Sequence, residues 1–290
     1  MAFDRARIPD ALVDAYKEDR CGLLVGAGAS VGAKLPDWPG LLKKMVAEAL
    51  SHRTITADKA NEYGRLIVDP SKFLLVAGGL KDDLSPYFDS FVEKTFVDSD
   101  PQPTKLHEAI VAAGRLKFVI TTNYDTLIET AYRKAGNFRV SVNTFTDAGE
   151  VQRRLSKREF FILKAHGDAT KIGNGIILTE SDYRQILYRE RAYQSLLSAM
   201  FTMFSIVFVG ASMNDPEIKL LLGYIADAFS PTAGPTHFAL MPEDEITEVE
   251  RDRWRREMKV ELIPISKADN YAEVTQFVEA LHAASAPQPA

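Results

Sequence analysis

The 290-residue chain has one cysteine, Cys21. A single thiol cannot close an internal disulfide or build a cysteine-rich zinc site. A reducing, cytoplasmic setting and no bound zinc are therefore expected. Basic residues are also in deficit, with 35 Lys and Arg against 40 Asp and Glu, a net charge of −5 and a pI of about 5.7. The bulk electrostatic footprint of a nucleic-acid binder is absent, and no direct nucleic-acid contact is expected. The N-terminus, MAFDRARIPDALVDAY, lacks the apolar core of a signal peptide and reads as an amphipathic helix. Long apolar runs are missing too. The stretch from Ser195 to Met213 carries no charge, but Ser195, Ser198, Thr202, Ser205 and Ser212 dilute it. It reads as a helix end, a buried strand (SIVFVG) and a turn, so no membrane partner is expected.

Hydrophobic residues make up 46% of the chain, which at this length supports a substantial core. Short apolar runs recur at 21–26 (CGLLVG), 117–122 (KFVITT), 140–145 (VSVNTF), 160–166 (FFILKAH), 205–211 (SIVFVGA), 236–241 (THFALM) and 260–265 (VELIPI). Several are apolar throughout, as strands covered on both faces are. Helical patterns separate them, among them LLKKMVAEAL (41–50), KLHEAIVAAG (105–114), DTLIETAYRKAG (125–136) and DEITEVERDRWRREM (244–258). Alternating strands and helices predict an α/β fold with a Rossmann-like, mostly parallel sheet and helices on both faces. Residues 27–116 are too many for one crossover helix, so an inserted helical region is expected at about 40–100. The whole of 1–290 reads as one domain, with ASAPQPA as a frayed tail.

Four segments carry chemistry. LLVGAGAS (23–30) runs a strand into Gly26, Gly28 and Ser30, with Gly32 following. Such glycines allow a tight turn and let backbone amides approach a phosphate at a helix N-terminus. The G-x-G-x-x-x-G spacing is one residue off the dinucleotide fingerprint, and no acidic residue ends a second strand where that fingerprint wants one. A glycine turn without a ligand is an equal alternative. KFVITTNYD (117–125) delivers Asn123 and Asp125 to the carboxyl end of a buried strand, where ligands of open α/β sheets bind. One of the two could instead cap the following helix. FFILKAHGD (160–168) delivers His166 in the matching position, and histidine titrates where proton transfer near neutrality needs it. VFVGASMNDPEI (207–218) repeats a strand–Gly–Ala–Ser turn, in which Gly210 and Ser212 could meet a phosphate or ribose. Asp215 before Pro216 equally suits a helix start.

In this order the segments resemble the sirtuin family. The matching residues are Gly26-Ala27-Gly28-Ala29-Ser30, then Leu35-Pro36-Asp37-Trp38, Pro103 to His107, Thr121-Thr122-Asn123-Tyr124-Asp125, His166-Gly167 and Gly210-Ala211-Ser212. The resemblance runs from about residue 20 to 265. The departures are equally specific. Deacylating sirtuins have a zinc module with two cysteine pairs, which this chain lacks. Trp38 is followed by Pro39 rather than the family's arginine, and Thr122 replaces its glutamine. ILTESDY (177–183) is similar to a zinc-less bacterial branch associated with NAD depletion during defence against phage and plasmids.

The resemblance implies an NAD+ glycohydrolase that gives nicotinamide and ADP-ribose in an abortive-infection response. By it, Asn123 and His166 are catalytic, Asn123 holding a ribose hydroxyl or the attacking water and His166 acting as general base. Asp125 receives the carboxamide NH2, beside Thr122. Gly28, Ala29 and Ser30 cradle the pyrophosphate, Gly26, Ala27 and Gly210 join them among the cofactor-binding residues, Ser212 serves the adenosine side, and Asp37 and Trp38 form a lid. His107 is structural, and His52, His237 and His282 are surface or packing residues. A homo-oligomer is implied, with the trigger in a separate sensor such as a HerA-type DNA-translocating ATPase or a short Argonaute. The charged helix near 243–257 is an interface or, more simply, a solvated face. The competing readings are an NAD or ADP-ribose binding module without turnover, an NAD-dependent protein deacylase and a plain Rossmann dehydrogenase.

Overall fold

A computed structural model of the chain describes residues 3–136, 140–211, 213, 218–223 and 234–285. Seven strands form one sheet: β1 (Cys21–Val25), β2 (Phe118–Thr121), β3 (Ser141–Thr144), β4 (Phe161–Lys164), β5 (Ser205–Val209), β6 (His237–Pro242) and β7 (Val260–Ile265). Their order is β3-β4-β2-β1-β5-β6-β7, and every neighbouring pair is parallel. All seven lie where the apolar runs predict them. Each of the four central strands is buried along its length, as a sheet covered on both faces requires.

Side chains alternate strictly between the two faces. Leu23, Val25, Val119, Ile162, Val207 and Val209 join α1 (Asp10–Lys17), α6 (Lys105–Ala112) and α7 (Leu127–Lys134) in one core. The last helix, Ala268–Ala284, closes that face with Val274, Phe277, Val278 and Leu281. Leu24, Phe118, Ile120, Phe161, Leu163, Ile206 and Phe208 face the other way. There they meet α8 (Ala148–Lys157), α9 (Glu180–Tyr188) and α10 (Arg191–Met203), through Val151, Tyr183, Ile186, Tyr193 and Met200. The described part of the uncharged stretch comprises the end of α10 and strand β5, followed by Gly210 and Ala211. Among the described residues, no helix is long and apolar enough to cross a membrane.

Between β1 and α6 lie α2 (Trp38–Ser51), α3 (Ala57–Leu66), α4 (Phe73–Leu84) and α5 (Phe88–Phe96). They enclose a third core of Leu41, Leu42, Met45, Val76, Leu80 and Phe91. That core also takes in Tyr124 and Leu127 from behind β2, and Ala169, Ile176 and Leu178 from behind β4. The helical insert is thereby seated over the carboxyl ends of the sheet.

Candidate functional site

Strand β1 is the switch point of the sheet: β2 leaves it on one side and β5 on the other. Loops from the carboxyl ends of these strands diverge there and leave a crevice. A cavity of about 240 Å³ occupies it. Its floor is Ala27, Gly28 and Ser30 from the β1 loop, Thr122 to Asp125 from the β2 loop, His166 from the β4 loop and Gly210 and Ala211 from the β5 loop. Its wall is apolar and comes largely from the insert: Leu35, Pro36, Trp38, Leu41 and Phe96. Trp38 is stacked on Phe73 at 6.0 Å between ring centres, which ties that wall to α4.

The two glycine turns touch backbone to backbone. Gly26 N donates to Val209 O at 3.0 Å and Gly28 N donates to Gly210 O at 2.9 Å. A Cβ on Gly26 would lie 2.4 Å from Ala211 Cα, and one on Gly210, whose φ is +58°, would lie 2.6 Å from Ala29 N. Here the structure corrects one expectation. The β1 loop does not enter a helix N-terminus; it forms two short 3-10 turns, Ala27–Ala29 and Val31–Ala33. Ala29 N and Ser30 N close the first turn onto Gly26 O and Ala27 O, and Ala33 N and Lys34 N close the second onto Ser30 O and Val31 O. The amides of Gly26, Gly28, Ala29 and Ser30 are thus already bonded, and what the glycines supply is close approach. Gly26 and Ala29 sit behind the cavity lining.

The polar core of the site is a chain of three side chains. Asn123 Nδ2 donates to Gly26 O at 3.1 Å and to Ser30 Oγ at 2.9 Å. Ser30 Oγ in turn donates to Asp125 Oδ2 at 2.7 Å. Asp125 Oδ1 accepts Leu127 N, the first amide of α7, at 3.0 Å from just before the Thr126 N-cap, while the Asn123 side chain is engaged elsewhere. All three are at least nine-tenths buried. Asn123 Oδ1 is buried with no hydrogen-bond partner among the described residues.

His166 lies in the turn after β4, because the strand ends at Lys164, two residues earlier than the apolar run predicts. It is 3% exposed, and its ring is T-shaped to that of Tyr183 with ring centres 5.3 Å apart. Its carbonyl accepts Ile177 N at 2.9 Å, and Tyr124 OH donates to Ile177 O at 2.7 Å. The segment ILTESDY therefore braces both motifs. Its Thr179 and Asp182 form a capping box at the start of α9, and Asp182 also pairs with Lys81 of α4 at 2.9 Å.

Asp37 lines the cavity mouth and at the same time caps α2 by accepting Gly40 N at 2.8 Å. Ser212 lies outside the described residues. His107 caps α6 with Thr104, and burial, the largest influence, lowers its pKa. His237 is buried between β5 and β6, where Nδ1 accepts Ile206 N at 3.2 Å. His52 stacks on Tyr87, and His282 meets Tyr16 OH at 3.2 Å. Among the described residues, no group of three or more His, Cys, Asp or Glu side chains is arranged to hold a metal ion.

Sequence reasoning missed Lys164 and Glu129, the bracing role of Tyr124, and Leu41 and Phe96 of the apolar wall. Lys164 Nζ is fully buried and reaches Asp125 O at 2.6 Å, Tyr124 O at 3.1 Å, Glu129 Oε1 at 3.1 Å and Asp168 Oδ1 at 3.2 Å. Its signal was present, since a lysine interrupting an apolar strand run has to be paired to be buried.

A family model described as a SIR2-like domain matches residues 117–263. Defense-associated sirtuin 2 of Bacillus subtilis is 29% identical over 216 residues, covering 74% of this chain and 20% of that protein. NAD(+) hydrolase ThsA of Bacillus cereus (strain MSX-D12) is 24% identical over 278 residues, covering 90% of this chain and 54% of that protein. ThsA of Acinetobacter baumannii (strain 532279) is 24% identical, with 74% and 41% covered. The chain thus spans between 20% and 54% of the length of these relatives. Among solved structures, a crystal structure of a SIR2 homolog–NAD complex aligns with a TM-score of 0.44 at 15% identity, over 96% of this chain and 94% of that one.

Proposed function

This chain belongs to the SIR2-like family, and on that premise we propose that it hydrolyses NAD at the nicotinamide–ribose bond. The products are nicotinamide and ADP-ribose, and the biological outcome is NAD depletion in anti-phage defence, of the abortive-infection kind. The chain acts as one NAD-binding domain, assembled into a homo-oligomer and governed by a separate sensor protein. ThsA relatives bear the name NAD(+) hydrolase, and another relative is named a defence-associated sirtuin.

The observation that carries this reading is the state of Asn123. Its Nδ2 is anchored twice, so Oδ1 is the atom left for a ligand in the cavity that His166 also lines. A buried acceptor without a donor is costly, and a ribose hydroxyl or a water molecule would relieve that cost.

The reaction breaks the bond between the anomeric carbon and the pyridinium nitrogen. The bonding electrons leave with the ring, which departs as neutral nicotinamide and needs positioning more than an acid. Asn123 Oδ1 accepts a hydrogen bond from the ribose or from the water, fixing its approach to the anomeric carbon. His166 takes the proton as the water oxygen bonds to that carbon, and later returns it to solvent. Asp125 keeps lone pairs beyond those given to Ser30 and Leu127, and they accept the carboxamide NH2. The close-packed glycine turns admit the pyrophosphate, and Leu35, Trp38 and Phe96 keep bulk water out. In heavy-oxygen water, hydrolysis yields ADP-ribose carrying one solvent oxygen. A cyclised or unlabelled product would overturn this reading.

A further inference from the structure

The proposed reaction requires Asn123 and His166 to hold a fixed relation, yet they sit on separate loops after β2 and β4. We propose that Lys164 is a positioning residue whose ammonium group clamps those two loops together. The proposal rests on the hydrolase reading of the site.

Lys164 ends β4 and is completely buried. Its Nζ binds the carbonyls of Tyr124 and Asp125, the residues directly after Asn123. It also binds Asp168 Oδ1, two residues after His166, and Glu129 on α7. Three ammonium hydrogens thus serve four acceptors drawn from the β2 loop, the β4 loop and the helix that follows Asp125. A direct bond joins the same loops, from Ala169 N to Tyr124 O at 3.0 Å. Asp168 is itself fixed, since its Oδ1 takes Thr170 N and Thr170 Oγ1.

The core does not need a lysine there. The strand neighbours Phe161, Ile162 and Leu163 are apolar, and an aliphatic residue would suit the same face. Buried ion pairs are often no more stabilising than the apolar residues that could replace them, so stability alone does not account for the choice. What the ammonium adds is a point charge that gathers carbonyls and carboxylates from different segments. Burial opposes the charge, but Glu129, Asp168 and Asp125 more than offset it, and the pKa of Lys164 stays above the usual lysine value.

The test compares wild type, Lys164→Met/Glu129→Gln and Asp168→Asn by hydrogen-exchange mass spectrometry. The double substitution removes Lys164 together with Glu129, so that Asp168, still held by Thr170, is the one ion-pair partner left without its lysine. Asp168→Asn weakens the clamp from its other end and keeps an acceptor for Thr170. In both variants, exchange over residues 122–127 and 165–170 should rise about tenfold while β1 and α2 to α5 are unchanged. In NAD turnover, kcat should fall about a hundredfold with KM within about threefold of wild type. Unchanged exchange in the two loops, or an increase spread evenly over the chain, would overturn the clamp. A wild type that does not cleave NAD defeats the hydrolase reading separately, because the exchange pattern is read without substrate.

Discussion

Ser30 and Asn123 are joined by a 2.9 Å hydrogen bond in which the serine Oγ accepts from the asparagine Nδ2, and the same Oγ donates to Asp125. A hydroxyl can do both at once, so it sets the orientation of the amide and of the carboxylate together. The Asn123 amide is held with its oxygen left over, and in the proposed reaction that oxygen is the group offered to substrate.

Replacing Ser30 with alanine should therefore act through Asn123. The amide keeps Gly26 O as its only anchor and Asp125 Oδ2 loses its donor. The expected stability loss is about 1–3 kcal/mol, and turnover of NAD should fall about a hundredfold. Thermal melts and initial rates on the same preparation check both. Wild-type turnover in this variant would show that the amide does not need the serine.

The glycine turns make a contrast that stability measurements can read. A Cβ on Gly26 meets the backbone of Ala211 and Gly210 with nothing flexible to yield, so Gly26→Ala should cost about 1–3 kcal/mol in urea unfolding. Gly64, in the last turn of α3, has nothing within 4 Å of its would-be Cβ. Gly64→Ala should stabilise the protein by about 0.4–1 kcal/mol and leave NAD turnover at the wild-type rate.

How much of this was legible in the sequence differs from motif to motif. The seven strands could be read because each is a short apolar run in a sheet covered on both faces, where composition alone marks the element. Asn123 and His166 could be placed at the carboxyl ends of buried strands, which a parallel sheet brings to one side, but the adjacency of those two strands could not be read. The end of β4 could not be fixed, because Ala165 continues the apolar pattern that the ladder abandons at Lys164. The glycine motif shows that two turns are tight but not that the amides of Gly26 and Gly28 donate to the distant carbonyls of Val209 and Gly210. The roles of Ser30 as a bridge and Lys164 as a tether depend on partners more than 30 residues away, and no local spacing encodes those.

Acid should destabilise the fold through His237. Burial, with Lys259 adding to it, pushes its pKa down to about 3, from an unfolded value of 6.5. The unfolded chain binds a proton that the native state refuses between those values, so stability is full above about 6.5 and falls as the pH drops toward 3. From pH 7 to pH 5 this one group should cost about 2 kcal/mol. His237→Gln can still accept from Ile206 N, and its denaturation midpoints should show a correspondingly flatter pH slope. An equal slope in the variant would remove His237 as the cause.

The most direct measurement is nicotinamide release from NAD by the purified protein, supplied with its sensor partner where one is required, for wild type, Asn123→Ala and His166→Ala. Release by wild type is expected, with a loss of about a hundredfold or more in each variant and both variants still folded. Release that survives either substitution would contradict the assignment of that residue, and a wild type that neither binds nor cleaves NAD would contradict the account as a whole.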